Sequence, residues 1–298
     1  MKTKFLILLG LIVSTGAFTQ QNKFVVYSFK GNVSIVSNNT ESKARIGTLI
    51  EGNATIKLGA GSFATLICNE TKMFSLKKSG DYTTSSLKDS CTTNSSSVSV
   101  NYVKYVWSEL TKPHGTPEKN RKHYMSNVGA VSRGINNIWI DPKLDTILFS
   151  DGTIPLSWKS YTDAEEFEFS LFGPDNLETP ILTLPVKKKH VDLKDILKNM
   201  QPGKSYYWSA RIKGEENDER KYLVYVPANE YKTFYSSIQN TEAAETEAEK
   251  NFRMGFLLEE SHYLADAFQH YKKATELDAE NPMYRFVFMS FKKDYEIK

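Results

Sequence analysis

Charge of one sign, cysteine, paired histidine and long apolar runs are all scarce in this 298-residue sequence. It carries 38 Lys+Arg against 35 Asp+Glu, or 36 against 35 without Lys2 and Lys4 of its N-terminal segment. So even a balance excludes the electrostatic footprint that nucleic-acid binding requires. Its five histidines, His114, His123, His190, His262 and His270, form neither an H-x-x-x-H nor an H-E-x-x-H pair, and two cysteines make a poor metal site. There is no G-x-S-x-G elbow, and "GAGS" at Gly59 to Ser62 leads into a strand rather than the helix a phosphate loop needs. No catalytic residue, metal ligand or cofactor site can be named, and the expectation is a protein that is not an enzyme.

Of apolar runs, only Phe5 to Val13 is sustained, preceded by Lys2 and Lys4 and followed by Ser14, Thr15, Gly16 and Ala17. That order reads as a signal peptide over residues 1–19. The run falls short of the roughly 20 residues needed to cross a bilayer. The mature chain is therefore expected to be exported, periplasmic or secreted, with no transmembrane span. The first cysteine lies far beyond the signal, which excludes acylation there. In an oxidising compartment Cys68 and Cys91 are the one available pair. Spacing leaves open whether they form a disulfide or one buried and one exposed thiol.

What is present is alternation. In "KFVVYSFKGNVSIVS" Val25, Tyr27 and Phe29 recur with period two, and Val33 and Ile35 resume it after Gly31-Asn32. "GSFATLICN" puts Ala64, Leu66 and Cys68 on one face and Phe63 and Ile67 on the other, as in a strand covered on both sides. Turns at Glu51-Gly52-Asn53, Gly59-Ala60-Gly61 and Ser79-Gly80-Asp81 separate the runs. Val103, Val106, Trp107 and Leu110 then fall at helical spacing, predicting a helix that closes a first β module over 22–111. Residues 112–137 are polar, basic and broken by Pro113, Gly115 and Pro117, and read as a linker.

A second module, 138–237, alternates again. Phe167, Phe169 and Leu171 share one face, as do Tyr206, Trp208, Ala210 and Ile212. Short strands at this spacing predict a two-sheet sandwich, with its aromatics in the core and "KKKH" at Lys187 to His190 facing solvent. From 241 to 298 the period becomes helical: Ala248, Phe252, Gly255 and Leu258 mark one stripe, and Leu264, Ala267, Phe268, Tyr271 and Ala274 a second. Asn281-Pro282 caps a third helix. The fold class is therefore mainly β with an α-helical C-terminus.

Three resemblances sharpen this. "VYSFKGNVSIV", "IGTLIEGNATIKLGAGSFATLI" and "MFSLKKSGDY" resemble the FecR-like periplasmic domain of bacterial envelope proteins, with Gly47, Leu49, Gly52, Gly59, Gly61, Ala64 and Leu66 at the family's positions. The acidic Asp-Gly turn usual after the Ala-x-Leu strand is replaced by "CNETKM", so no ligand contact is carried over there. Regulators of that family have a cytoplasmic arm and a membrane span; a cleaved signal peptide leaves neither, so their anti-sigma role is not carried over. "LSWKSYTDAEEFEFSLF" with "LKNMQPGKSYYWSARI" resembles bacterial fibronectin type III or Ig-like sandwiches. The tail resembles a tetratricopeptide hairpin, with Gly255 at the small position of one helix and Ala267, Tyr271 and Ala274 at the small, aromatic and small positions of the next.

Together these imply a non-catalytic, exported protein-binding scaffold or sensor subunit of the bacterial cell envelope. Its partner would be another envelope protein, docked within or between chains on helices carrying Phe252, Gly255, Leu258, Ala267, Tyr271 and Ala274. The rival expectation is an envelope polysaccharide bound by the β modules.

Overall fold

The computed structural model describes residues 22–92, 99–111, 137–241 and 243–297. The expected signal peptide and nearly all of the expected linker lie outside them. Alternation in the first module becomes two four-stranded antiparallel sheets. One, in the order β4-β1-β6-β7, contains β1 (Phe24–Lys30), β4 (Leu49–Ile50), β6 (Phe63–Cys68) and β7 (Lys72–Leu76). The other, β3-β2-β5-β8, contains β2 (Val33–Ser37), β3 (Thr40–Lys43), β5 (Ala54–Leu58) and β8 (Gly80–Thr83). Phe24, Val26, Ala64, Leu66 and Cys68 from the first sheet meet Val33, Ile35, Ile56 and Leu58 from the second in one apolar core. The Gly31 turn before β2 is backed by Ser62: φ is +84°, and a Cβ there would lie 2.4 Å from Ser62 Oγ. Only glycine fits both that backbone and that approach.

β1 departs from strict alternation. Its register against β6 shifts between Val26 and Ser28, so Val25, Tyr27 and Ser28 face away from the first core while Phe29 turns back into it. An extra residue in one strand re-aims the side chains beyond it. The outward face of the sheet is not solvated: Val25, Tyr27, Ile67 and Met73 join a second core that continues through the rest of the chain.

In the second module a five-stranded sheet runs β10-β17-β16-β13-β14, with β10 (Thr146–Phe149) parallel to β17 (Lys221–Tyr225). β13 (Phe167–Phe172), β14 (Leu182–Val186) and β16 (Lys204–Ile212) are antiparallel neighbours. Two small ribbons accompany it: β11 (Pro155–Ser157) with β15 (His190–Asp192), and β9 (Ile138–Trp139) with β12 (Lys159–Ser160). The arrangement is sandwich-like and open. Trp208 stacks on Phe169 at 5.9 Å, and Trp158 meets Phe167 edge-on at 6.0 Å, so these aromatics are core.

Helices complete the chain: α1 (Val100–Thr111), the short α2 (Leu193–Ile196), α3 (Ala228–Gln239), α4 (Glu247–Glu260), α5 (Leu264–Leu277) and α6 (Pro282–Asp294). α4 opens on a capping box between Thr246 and Glu249, and α6 on Asn281, whose side chain accepts from the Met283 amide at 3.1 Å. The sequence pattern shows α4 with one apolar stripe, but Arg253, Met254, Phe256 and Leu257 on its other sides are buried too. The physical reason is tertiary: the first sheet, α1, α3 and α5 surround it.

Candidate functional site

Tyr102 and Tyr105 of α1 pack on Phe252 and Phe256 of α4, with the Tyr105 and Phe256 rings stacked at 5.1 Å. Ser28 donates to Glu249 Oε2 at 2.8 Å, Thr65 donates to the Ala244 carbonyl at 2.6 Å, and the Ala244 amide donates to Ser75 Oγ at 2.7 Å. Those bonds tie the tail to the first module. On the other side the Leu148 amide donates to the His262 carbonyl, and Ser157 to the Tyr295 carbonyl. The helical tail thus binds both β modules of its own chain. Phe252, Gly255, Leu258, Ala267, Tyr271 and Ala274 are each no more than 1% exposed or lie against the Tyr271 ring, so all six belong to this internal junction.

Gly255 shows how tight it is. A Cβ at that position would lie 2.7 Å from Cδ1 of Tyr271, a ring that is itself 1% exposed. Gly255→Ala gains about 1 kcal/mol of helix propensity but forces apart a packed ring, an overpacking cost of about 1–3 kcal/mol. The expected outcome is a net loss, read as a lower urea midpoint at unchanged slope; a rise would mean that the two helices do not approach this closely.

Buried charge concentrates here. Arg253 is fully buried; its Nε donates to both Glu245 carboxylate oxygens at 2.8 and 3.1 Å. Its Nη1 and Nη2 donate to the Ile238 and Gln239 carbonyls at the end of α3, where helical carbonyls lack intrahelical partners. Burial raises the Glu245 carboxyl against the opposing pull of Arg253, and raises that of Glu249 against hydrogen bonds from Thr246 and Ser28. Glu259 accepts from Tyr271 at 2.9 Å and Tyr295 at 3.1 Å, joining α4, α5 and the C-terminal turn.

Beside it, the His270 ring joins Tyr235 Oη at 3.0 Å through Nε2 and Asn251 Oδ1 at 2.9 Å through Nδ1. Burial, with Lys250 and Arg253 nearby, lowers its pKa from 6.5 to about 4. A depressed base favours the fold in its neutral form, so this contribution is complete above pH 6.5 and is lost as pH falls toward about 4. Across that window the parent should lose roughly 2 kcal/mol more than His270→Gln, measured as the difference between their urea midpoints. The raised carboxyls of Glu245 and Glu249 act in the opposite sense: their stabilisation is complete below the ordinary carboxylate value and is lost as pH rises through their folded values. Parallel pH profiles for parent and variant would remove His270 from this account.

Two large open clefts among the described residues border the junction, one at Ser157 and one at Ser75. One, of about 750 Å³, is lined by Ser157 to Tyr161, Lys187 to His190 and Glu296. Tyr161 is 68% exposed, Lys159 pairs with Glu296 at 2.9 Å, and its ammonium lies 5.0 Å from the Trp139 ring centre. Trp158 Nε1 is buried with no hydrogen-bond partner among the described residues. The second, of about 690 Å³, follows β7 from Lys72 to Lys78 and is completed by Tyr82, Asp89 and Ser90. Next to it Cys68 and Cys91 are bonded, with Cα atoms 5.8 Å apart. No group of His, Cys, Asp or Glu among the described residues has the spacing to hold a metal ion, and no described helix is long and apolar enough to cross a membrane.

No protein-family model matches this chain, and no curated protein does. The site must be read from its own residues. Sequence reasoning missed α3 altogether, although Tyr231, Phe234, Tyr235 and Ile238 stand at i, i+3, i+4 and i+7. It also missed Lys72, although alternation through "KMFSL" puts that lysine on the face of Phe74 and Leu76.

Proposed function

We infer that this chain is a non-catalytic, exported protein-binding scaffold or sensor subunit of a bacterial cell envelope. In this reading the first module is FecR-like, the second a fibronectin type III or Ig-like sandwich, and the tail tetratricopeptide-like. The observation that carries it is the burial of the tail between the two β modules, which joins them through one continuous apolar core. A helical hairpin spent in this way orients sheets and leaves their outer edges, at β7 and β14, for a partner segment. Exposed edges offer rows of backbone donors and acceptors, which suits recognition of another chain.

The test is in-cell photo-cross-linking from benzoylphenylalanine placed at Lys78 or Thr183 beside these edges, with Lys272 on the solvent side of α5 as control. The expected result is a discrete, glycosidase-resistant protein adduct from an edge position and none from the control. Adducts that vanish with glycosidase would favour the second reading, an anionic polysaccharide on the basic cleft. That alternative is supported by Tyr161, an exposed aromatic beside Lys187, Lys188 and Lys189.

A further inference from the structure

Lys72 is 7% exposed, and its Nζ is buried without a hydrogen-bond partner among the described residues. Asp89 lies on the wall of the same cleft but forms no ion pair with it among the described residues. An ammonium taken out of water without an anion is costly to the fold, and proteins keep buried charges paired. β7 is the last strand of its sheet. Its outer side borders a cleft of about 690 Å³, lined continuously from Lys72 to Lys78. Along that strand Lys72, Phe74 and Leu76 alternate on one face, so the cleft has a cation followed by apolar surface at two-residue spacing. An added strand has the same period. Lys77 and Lys78 continue the positive charge beyond it.

We propose that this cleft takes an acidic, extended segment of a partner protein, added as a strand along β7 and anchored by a carboxylate on Lys72. The proposal rests on the scaffold reading above and names the site and the chemistry of its partner. Backbone hydrogen bonds to the free side of β7 supply affinity, and the carboxylate supplies choice. Lys72 sits in "CNETKM", where the sequence departs from the pattern it otherwise resembles, and Phe74 to Lys78 sit in "MFSLKKSGDY", which follows that pattern.

The test uses the full exported chain and Lys72→Met. A thermal melt comes first: the variant is expected to have the higher Tm, because an apolar side chain of similar length replaces an uncompensated cation. A lower Tm would mean that Lys72 has an internal partner, and would overturn the proposal. A phage-displayed library of random heptapeptides is then selected on both proteins. Peptides enriched on the parent alone should carry a carboxylate with apolar residues two and four positions to one side of it. Exchange of that glutamate or aspartate for its amide should weaken binding about tenfold or more.

No enrichment, or enrichment without a Lys72-dependent carboxylate, overturns it. If succinate raises the parent's Tm but not the variant's while no peptide is enriched, the cleft takes a small carboxylate and the strand-addition proposal falls. The scaffold reading fails separately: a glycosidase-resistant adduct at Lys78 or Thr183, with no acidic consensus, leaves that reading standing and removes only the Lys72 anchor.

Discussion

Arg253→Met should cost about 3–5 kcal/mol of stability, because removing one partner of a buried pair leaves an uncompensated charge. Glu245, with a side chain only 4% exposed, would be that charge. Its carboxyl is already raised by burial, and without the guanidinium it would take up a proton at higher pH. The carbonyls of Ile238 and Gln239 would also lose their donors, so the C-terminal end of α3 should fray. Urea unfolding measures the first effect, and amide hydrogen exchange over residues 228–239 the second. The double variant Glu245→Gln with Arg253→Met should recover much of the loss, since neither buried charge then remains. A single-variant cost below about 1 kcal/mol would mean that the pair is far more hydrated than its burial indicates.

Loss of the Cys68–Cys91 bond should have the next largest effect. It joins the end of β6 in the first sheet to the 3-10 turn at Asp89–Cys91, in the segment that follows β8 of the second sheet. With a separation of 23 residues, the chain-entropy model gives a stabilisation of roughly 3 kcal/mol. Cys91→Ser should therefore lower Tm by about 5–10 °C for a chain of this size. Dithiothreitol should lower the parent's Tm similarly and leave the variant's unchanged. An equal response of both proteins to the reductant would mean that the bond contributes nothing. Because β1 and β6 also form a wall of the larger core, loosening the first module should reach α4, seen as faster exchange in residues 247–260.

Much of the local structure was legible in the sequence. Alternation placed Ala64, Leu66 and Cys68 together and Ile67 opposite, and both sides of that strand are indeed buried. Asn281-Pro282 marked the third tail helix, because a side-chain acceptor before a proline satisfies a helix N-terminus. The aromatic runs around Phe169 and Trp208 indicated a core through their shared face. α3 escaped the sequence reading although its stripe of Tyr231, Phe234, Tyr235 and Ile238 has helical spacing, because it adjoins the alternating runs of the β module and none of its residues is fully buried. The outward turn of Tyr27 and Ser28 was hidden as well, since a bulge depends on how the neighbouring strand pairs.

The sequence by itself determined that alternating β runs come first and helices last, that Asn281-Pro282 opens the last helix, and which two cysteines can pair. These follow from contacts within a few residues and from the period of apolar side chains. Only the tertiary structure decided what the tail binds. Periodicity reports that Phe252, Gly255 and Leu258 need cover, but not that α1, α5 and a β-sheet of the same chain supply it. It also decided the fate of the charges. Whether Arg253 meets Glu245 in a dry interior, or Lys72 reaches no anion among the described residues, depends on residues distant in sequence. A lysine and an arginine carry the same charge in the sequence, and only their surroundings separate the buried ion pair of Arg253 from Lys72.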